Sequence, residues 1–582
     1  MPTIHIDKEA LLEHLGGQFD TAQFRELCFE FGIELEEDSS ELETFAPGDR
    51  AEFKIDIPAN RYDLLCFEGL SRALGVFLGR EEAPKYAVVP VAKPQRITVA
   101  KECAQVRPYV VGAILRGVTF TKDRYDSFIK LQDKLHANIC DERKLVSIGT
   151  HDLDTIQGPF TYEALKPEEI KFVPLNQTEL MDGHQVMEFY EGDGHIENYL
   201  DIIRESPVYP VVYDANRTVM SLPPLINSNH SKITLDTKNV LIEITATDLT
   251  KANVVLNIVV TMFSAYCEKP FTVEPMEVVY PDGKSVVYPD LEPVALKTTG
   301  KYLNGLIGIQ KSSGEIVELL KKMSLAATAE GDEITVLAPP TRPDIMQECD
   351  VAEDLAIAFG YNNIPRVQSN EATVGVPLPL NKLSDIVRKE IAMAGWTEVL
   401  TLSLCSHKEG YELLRLEDKG DEAVVMKNPE TLSNEMCRTL LLPGLLKTVH
   451  ANRMHANPLK LFEVSDVVVK DGSLERGARN KRHACAIYSS DESKFEIVQG
   501  LLDTLMQSLN VVRARATAGY HLVEAENHPM YLPGRAANIV YTDDEGHAVP
   551  LGTIGILHPE VLTNFKLKYP ISTFEINIEP FL

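Results

Sequence analysis

Four of the five carboxylates between residues 344 and 354 carry the most suggestive chemistry in this sequence. In Pro340-Thr-Arg342-Pro-Asp344-Ile-Met-Gln-Glu-Cys-Asp350-Val-Ala-Glu353-Asp354-Leu, three of them recur at i, i+3 and i+4, which puts Asp350, Glu353 and Asp354 on one face of a helix. Asp344 lies one short loop earlier, behind an Arg342-Pro343 step that keeps residue 342 extended. Like charges at this spacing repel by about a few tenths of a kcal/mol per pair, so a hard cation with oxygen ligands would turn a liability into a site. The spacing equally fits a plain helix start, with Asp350 as N-cap and Glu353 at N3, where orphan N–H groups and the helix dipole favour acids.

The chain holds its own control. Pro58-Ala-Asn-Arg61-Tyr-Asp63-Leu repeats the arginine two residues before the aspartate, after a proline and ahead of a helix, but its equivalents of 350, 353 and 354 are Gly69, Arg72 and Ala73. That element cannot hold a metal.

A second polar concentration is Asn227-Ser228-Asn229-His230-Ser231, a loop after Pro223-Pro224 and before the strand-like run Asn239-Val-Leu-Ile-Glu243-Ile-Thr245. By default it is a turn with side-chain hydrogen bonds, and Glu243 can be a solvent-facing strand residue. Thr150-His151-Asp152 reads as a surface hydrogen bond rather than an acid–base pair. Lys322-Met-Ser has no matching His-rich partner motif, and Walker A, HExxH and GxSxG motifs are absent.

The elements that must position these residues fall into several cores, as 582 residues with 44% hydrophobic composition allow. Residues 1–85 mix short strands and helices up to a proline-rich connector at 84–94. Residues 95–275 form a mixed α/β region, with a helix through Phe128, Leu131, Leu135 and Ile139 and a strand at 239–245. Asp282-Gly283 between two β-branched runs predicts a hairpin linking two domains. A compact unit spans 293–368, with a helix over 314–323, a strand over 333–337 and a helix from about Asp350. A larger region, 376–582, opens with an amphipathic helix through Leu383, Ile386 and Ile391.

The formal charge of -29 disfavours broad nonspecific adhesion to nucleic acid. The basic run at 475–483, around Arg479, reads as a solvated loop. Nine scattered cysteines without a CxxC predict reduced thiols in the cytosol. The apolar stretch at 252–265 is too short to span a bilayer, and no secretory leader is expected at the start.

At residues 340–365, through Gly360-Tyr-Asn-Asn-Ile-Pro365, the sequence resembles the beta subunit of phenylalanine-tRNA ligase, of the archaeal and eukaryotic-cytosolic type. Residues 60–74, 221–228, 239–248, 426–429, 438–446 and 461–466 resemble further pieces of that family in order along the chain. The resemblance implies a multidomain α+β chain: an N-terminal module, an α/β editing domain, a small Mg²⁺-binding module and a C-terminal class II synthetase-like antiparallel-sheet domain lacking the catalytic motifs. It implies a Mg²⁺ shared with an alpha subunit and held by Asp344, Asp350, Glu353 and Asp354, the last a shorter substitute for the usual Glu. It also implies an alpha-two beta-two complex that charges the tRNA for phenylalanine using ATP in the cytoplasm, away from membranes.

An apolar phenylalanine pocket cannot strongly reject an analogue that adds one hydroxyl, so a second, polar pocket that removes tyrosine is a standard solution. Asn227, Ser231, Glu243 and Thr245 are the candidates to line it, with Glu243 as hydroxyl acceptor. Adenylate chemistry in class II folds relies on arginines that pair with phosphate. The corresponding tail, Leu551-Gly-Thr-Ile-Gly-Ile-Leu-His-Pro559, has none, so adenylation is expected on the alpha subunit, with Arg438 and Arg535 in packing or subunit contacts. Two other readings compete: a free-standing Mg²⁺-dependent hydrolase and a non-enzymatic scaffold. Met346, Gln347 and Cys349 in place of further ligands argue against a two-metal hydrolase.

Overall fold

The computed structural model describes residues 2–17, 19–42, 44–46, 49–368, 371, 373–514 and 518–582. They form two compact units, Met1–Gln368 and Ser369–Leu582.

The first unit begins with a three-stranded antiparallel sheet in which Glu52–Asp56 lies between Thr3–Asp7 and Glu34–Asp38. Alternation along Thr3–Asp7 buries Ile4 and Ile6 on one face, where helix Thr21–Phe31 packs and Phe24 stacks on Phe53 with 4.4 Å between ring centroids. Asp20 and Gln23 form a capping box at the start of that helix and Gly32 ends it in the left-handed region.

An eleven-stranded sheet follows. Its end that matters for function runs Thr272–Val279, Tyr109–Leu115, Val240–Ala246, Val146–Asp152, with the last three strands antiparallel to their neighbours. Every residue of Val240–Ala246 is buried, because helix Leu249–Phe263 packs on it and Ser221, Arg107 and His151 crowd its polar side chains. The helix beneath it, Leu249–Phe263, carries the apolar run noted at 252–265; with its extension to Tyr266 it is the one helix among the described residues long and apolar enough to cross a membrane. Its Val255, Leu256, Val259 and Phe263 are buried in the core cluster that includes Ile242 and Ile244, which makes it a core helix.

The Asp282-Gly283 hairpin is present, with Val279 paired to Ser285. It extends this large sheet, and Ala87–Val88 of the proline-rich connector joins the same sheet in parallel.

The last part of the first unit is a three-stranded antiparallel sheet, Val294–Thr299, Glu333–Ala338 and Ala326–Glu330, with helices Gly300–Ile307, Ser313–Lys322 and Glu348–Phe359.

The second unit is built on a seven-stranded sheet, antiparallel except for the short Thr397–Glu398 edge strand. Pro379–Met393 and Phe495–Ser508 share one core on it, and Leu442–Ala451 belongs to another. The basic run is a turn only over 475–477; from there Ala478–Ser489 is a strand paired along its length with Leu459–Lys470. There Arg482 meets Asp466 at 2.6 Å and Arg479 meets Asp471 at 3.6 Å. Arg438 is buried and donates to Glu463 at 2.8 Å and to the Thr401 hydroxyl at 2.9 Å.

Candidate functional site

The cross-strand register sets the chemistry of the large sheet's polar face. Glu243 stands opposite Gly149 on one neighbouring strand and opposite Gly112 on the other; its carboxylate lies in the slot over Gly149, and the Met276 sulfur takes the corresponding place over Gly112. A Cβ built on Gly149 would sit 2.3 Å from Glu243 Oε1, closer than any side chain tolerates. Glu243 is 2% exposed, which corrects the solvent-facing alternative. Ser221 donates to its Oε1 at 2.6 Å, while Oε2 is buried with no hydrogen-bond partner.

Two register positions along, Thr245 is buried opposite Ser147. Its hydroxyl accepts from Arg107 Nε at 3.2 Å and its carbonyl from Nη2 at 2.8 Å, so a buried guanidinium fixes this end of the strand. Asn227 pairs with Ser221 across a two-residue strand and donates to the Thr150 carbonyl at 3.4 Å. Ser231 is fully buried, its Oγ 2.8 Å from His151 Nδ1. The four sequence candidates thus gather on and around one strip of the sheet.

His151 was misread from the sequence. It is fully buried, not a surface residue, and its Nε2 lies 3.6 Å from Glu243 Oε1. Asp152 takes no part, because successive strand residues face opposite ways; its carboxylate instead accepts from Thr237 at 2.7 Å. Ser221, Gly149 and Gly112 were also missed. The signal was available: Ser147, Gly149 and His151 alternate at period two in a strand, and a glycine inside a strand marks close approach of another group.

The carboxylates at 344–354 take a different arrangement from a cage. Arg342 is buried, and its Nε and Nη2 donate to Asp344 at 3.0 and 2.7 Å. Its Nη1 lies 2.7 Å from Asp354 Oδ2 while donating to the Met323 carbonyl at 3.0 Å, and Asp354 Oδ2 has no aligned donor. Burial pushes the Asp344 carboxyl up, but the bonds and charge of Arg342 outweigh it and hold it below the usual range. Burial wins at Asp354, which is raised.

Asp350 is not the N-cap. The helix starts three residues earlier with Gln347 as N-cap, and Asp350 at N3 accepts from the N–H groups of Met346 and Gln347 at 2.9 and 2.7 Å. Glu353 is exposed. No group of three or more His, Cys, Asp or Glu among the described residues is placed to hold a metal ion. As they stand, the four residues do not fit a common Mg²⁺: a guanidinium occupies the space between two, backbone N–H groups hold the third, and the fourth faces solvent.

The Arg61–Asp63 element mirrors this geometry. Arg61 donates to Asp63 at 2.9 and 2.8 Å, both buried, and its charge reaches Asp344 and Asp354.

The succession of small sheet module, large sheet with a buried polar strip, second small module and antiparallel second unit is that of an aminoacyl-tRNA synthetase subunit, as the family models bear out. Residues 1–80 match the Phe-tRNA synthetase beta subunit B1 domain and 107–274 the B3/4 domain. Residues 296–361 match the tRNA synthetase B5 domain, and 364–578 the phenylalanyl tRNA synthetase beta chain CLM domain. The chain is 50% identical to the phenylalanine–tRNA ligase beta subunit of Drosophila melanogaster and 47% identical to those of Homo sapiens and Saccharomyces cerevisiae, in each case over all of both chains. It also resembles the crystal structure of an N-terminal fragment of the phenylalanyl-tRNA synthetase beta subunit from Pyrococcus horikoshii, with TM-score 0.56 and 31% identity, over 62% of this chain and 99% of that one. The chain belongs to the phenylalanine–tRNA ligase beta-subunit family.

Proposed function

We propose that this chain works with an alpha subunit, in an alpha-two beta-two complex of the cytosol, to attach phenylalanine to its tRNA, and that it hydrolyses tyrosyl-tRNA made in error. The observation that carries the second half is Glu243. A buried carboxylate with one oxygen held by Ser221 and the other unpaired is set to accept a hydrogen bond from a hydroxyl brought into the slot. A tyrosine side chain supplies that hydroxyl; phenylalanine leaves the carboxylate unpaired, a penalty large enough to discriminate.

Several observations support assigning adenylation to the alpha subunit. Arg438 is bound to Glu463 and Thr401, which leaves it unavailable to a phosphate, and the strand Ala548–Leu557 brings no arginine. Mg²⁺ belongs to this reading as the ion of ATP chemistry. No step is routed through a metal at residues 344–354, because the Arg342 guanidinium lies between the two buried carboxylates there, bonded to Asp344 and 2.7 Å from Asp354.

The test is co-purification with an alpha subunit, followed by assays of phenylalanine charging and of tyrosyl-tRNA deacylation. Glu243→Ala should lower deacylation of tyrosyl-tRNA relative to charging by about tenfold or more, the loss of one hydrogen bond to a charged group. Deacylation that survives the substitution intact would remove the editing assignment, and charging by the isolated chain would overturn the division of labour.

A further inference from the structure

We propose that His151 is the second half of a two-point hydroxyl reader, donating to the phenolic oxygen of the same group whose proton Glu243 accepts. This rests on the reading of the slot as the editing pocket.

Contacts among His151, Ser231 and Glu243 carry the argument. His151 Nδ1 is 2.8 Å from Ser231 Oγ, Nε2 is 3.6 Å from Glu243 Oε1, and both Nε2 and Glu243 Oε2 are buried without a hydrogen-bond partner. The ring's tautomer follows from its neighbours. If Nδ1 carried the proton, a bare Nε2 lone pair would face a carboxylate. With the Ser231 hydroxyl donating to Nδ1, Nε2–H faces Glu243 and the repulsion vanishes. The strip then presents one unpaired donor beside one unpaired acceptor.

Few chemical groups satisfy both at once. A hydroxyl does, because its hydrogen goes to Glu243 Oε2 and its oxygen accepts from His151 Nε2. The Glu243 carboxylate fills the space over Gly149 and the Met276 sulfur that over Gly112, and His151 and Glu243 are both buried, so a flat ring reaches the pair only by moving the side chains packed over it. Each buried group left unpaired is costly, so a reader with two such groups rejects an unsubstituted phenyl ring more strongly than Glu243 alone. It also distinguishes among groups that only donate.

The experiment uses the assembled alpha–beta complex and tRNA for phenylalanine carrying tyrosine, phenylalanine or 4-aminophenylalanine. The aniline group donates to Glu243, but its nitrogen is a weak acceptor for His151. The unsubstituted complex should therefore deacylate the tyrosyl ester about tenfold faster than the 4-aminophenylalanyl ester, the worth of one hydrogen bond. Equal rates would overturn the proposal without any substitution in the core. His151→Phe should slow tyrosyl deacylation about ten- to a hundredfold and erase the preference over the amino analogue, and His151→Gln, which keeps an N–H, should recover part of it. If Glu243→Ala abolishes tyrosyl deacylation while His151→Phe changes neither rate nor preference, this inference fails and the editing assignment stands. If Glu243→Ala is also without effect, both fall.

Discussion

Arg342 Nη1 stands 2.7 Å from Asp354 Oδ2, and both side chains are almost entirely buried. With Asp344 on the other side of the guanidinium, one cation serves two carboxylates below the Glu348–Phe359 helix. Removing one member of a buried ion pair strands the other in a medium that solvates it poorly. Arg342→Met should destabilise the first unit by roughly 3–5 kcal/mol, measured as the shift of its urea unfolding midpoint. A loss below about 1 kcal/mol, the worth of an exposed pair, would show the site to be wetter than its burial indicates.

The same geometry makes a prediction for metal. Adding Mg²⁺ or removing it with a chelator should leave the melting temperature of the isolated chain unchanged, since a bound ion stabilises only by its occupancy of the folded form. Glu353→Gln should be neutral, and Asp344→Asn or Asp354→Asn destabilising, with or without Mg²⁺. A Mg²⁺-dependent rise in melting temperature that Glu353→Gln abolishes would restore the four-oxygen cage.

Asp38 should dominate part of the acid unfolding of the first module. Burial pushes its carboxyl up, but the Lys8 ammonium at 2.6 Å and hydrogen bonds from Ser40 and Thr21 outweigh that and bring it down to about 2. A carboxyl whose folded value lies below its unfolded one, about 3.9, contributes stability that is complete above that pH and disappears as pH falls toward 2. The contribution is on the order of 2 kcal/mol. Urea titrations from pH 6 to pH 2 should show this loss, and Asp38→Asn should flatten it; an unchanged slope would mean other carboxylates carry the acid limb.

Gly149→Ala tests the slot itself. The added carbon would meet Glu243 Oε1 at 2.3 Å, so the carboxylate must move off Ser221 or the strands must part. Overpacking of this kind costs about 1–3 kcal/mol. Tyrosyl-tRNA deacylation should fall with it, and a rate equal to that of the unsubstituted complex would show that Glu243 need not lie where it does.

Much of the architecture could be read from the sequence because local signals agreed with the fold. The expected helix at 314–323 appears as Ser313–Lys322 with a Ser312–Glu315 capping box, and the strand at 239–245 appears as Val240–Ala246. The chemistry was harder to read. Asp350 looked like a ligand or an N-cap because spacing along a helix says nothing about what the preceding loop offers; two backbone N–H groups supplied its partners. Arg342 stands before a proline and, like Arg61, two residues ahead of an aspartate, yet nothing along the chain says that its guanidinium also reaches a second carboxylate at Asp354. His151 was discounted because its neighbour Asp152 suggested a surface pair, whereas its partners Ser231 and Glu243 lie 80 and 92 positions away in sequence. Contacts between distant strands are set by register, which no single strand announces.

Arg61 sits close enough for its charge to favour the ionised form of both Asp344 and Asp354, at Asp354 against a burial that still outweighs it. Counted together, Arg61, Asp63, Arg342, Asp344 and Asp354 are two cations against three anions drawn from the loops and helix of two separate modules. Trimming the first eighty residues would leave one arginine facing two buried acids, and grafting either small sheet onto a relative would import half a balance. These two modules are therefore bound to change together: a charge lost from one loop selects for a matching loss in the other, and correlated replacement at positions 61, 63, 342, 344 and 354 is where that history should be visible.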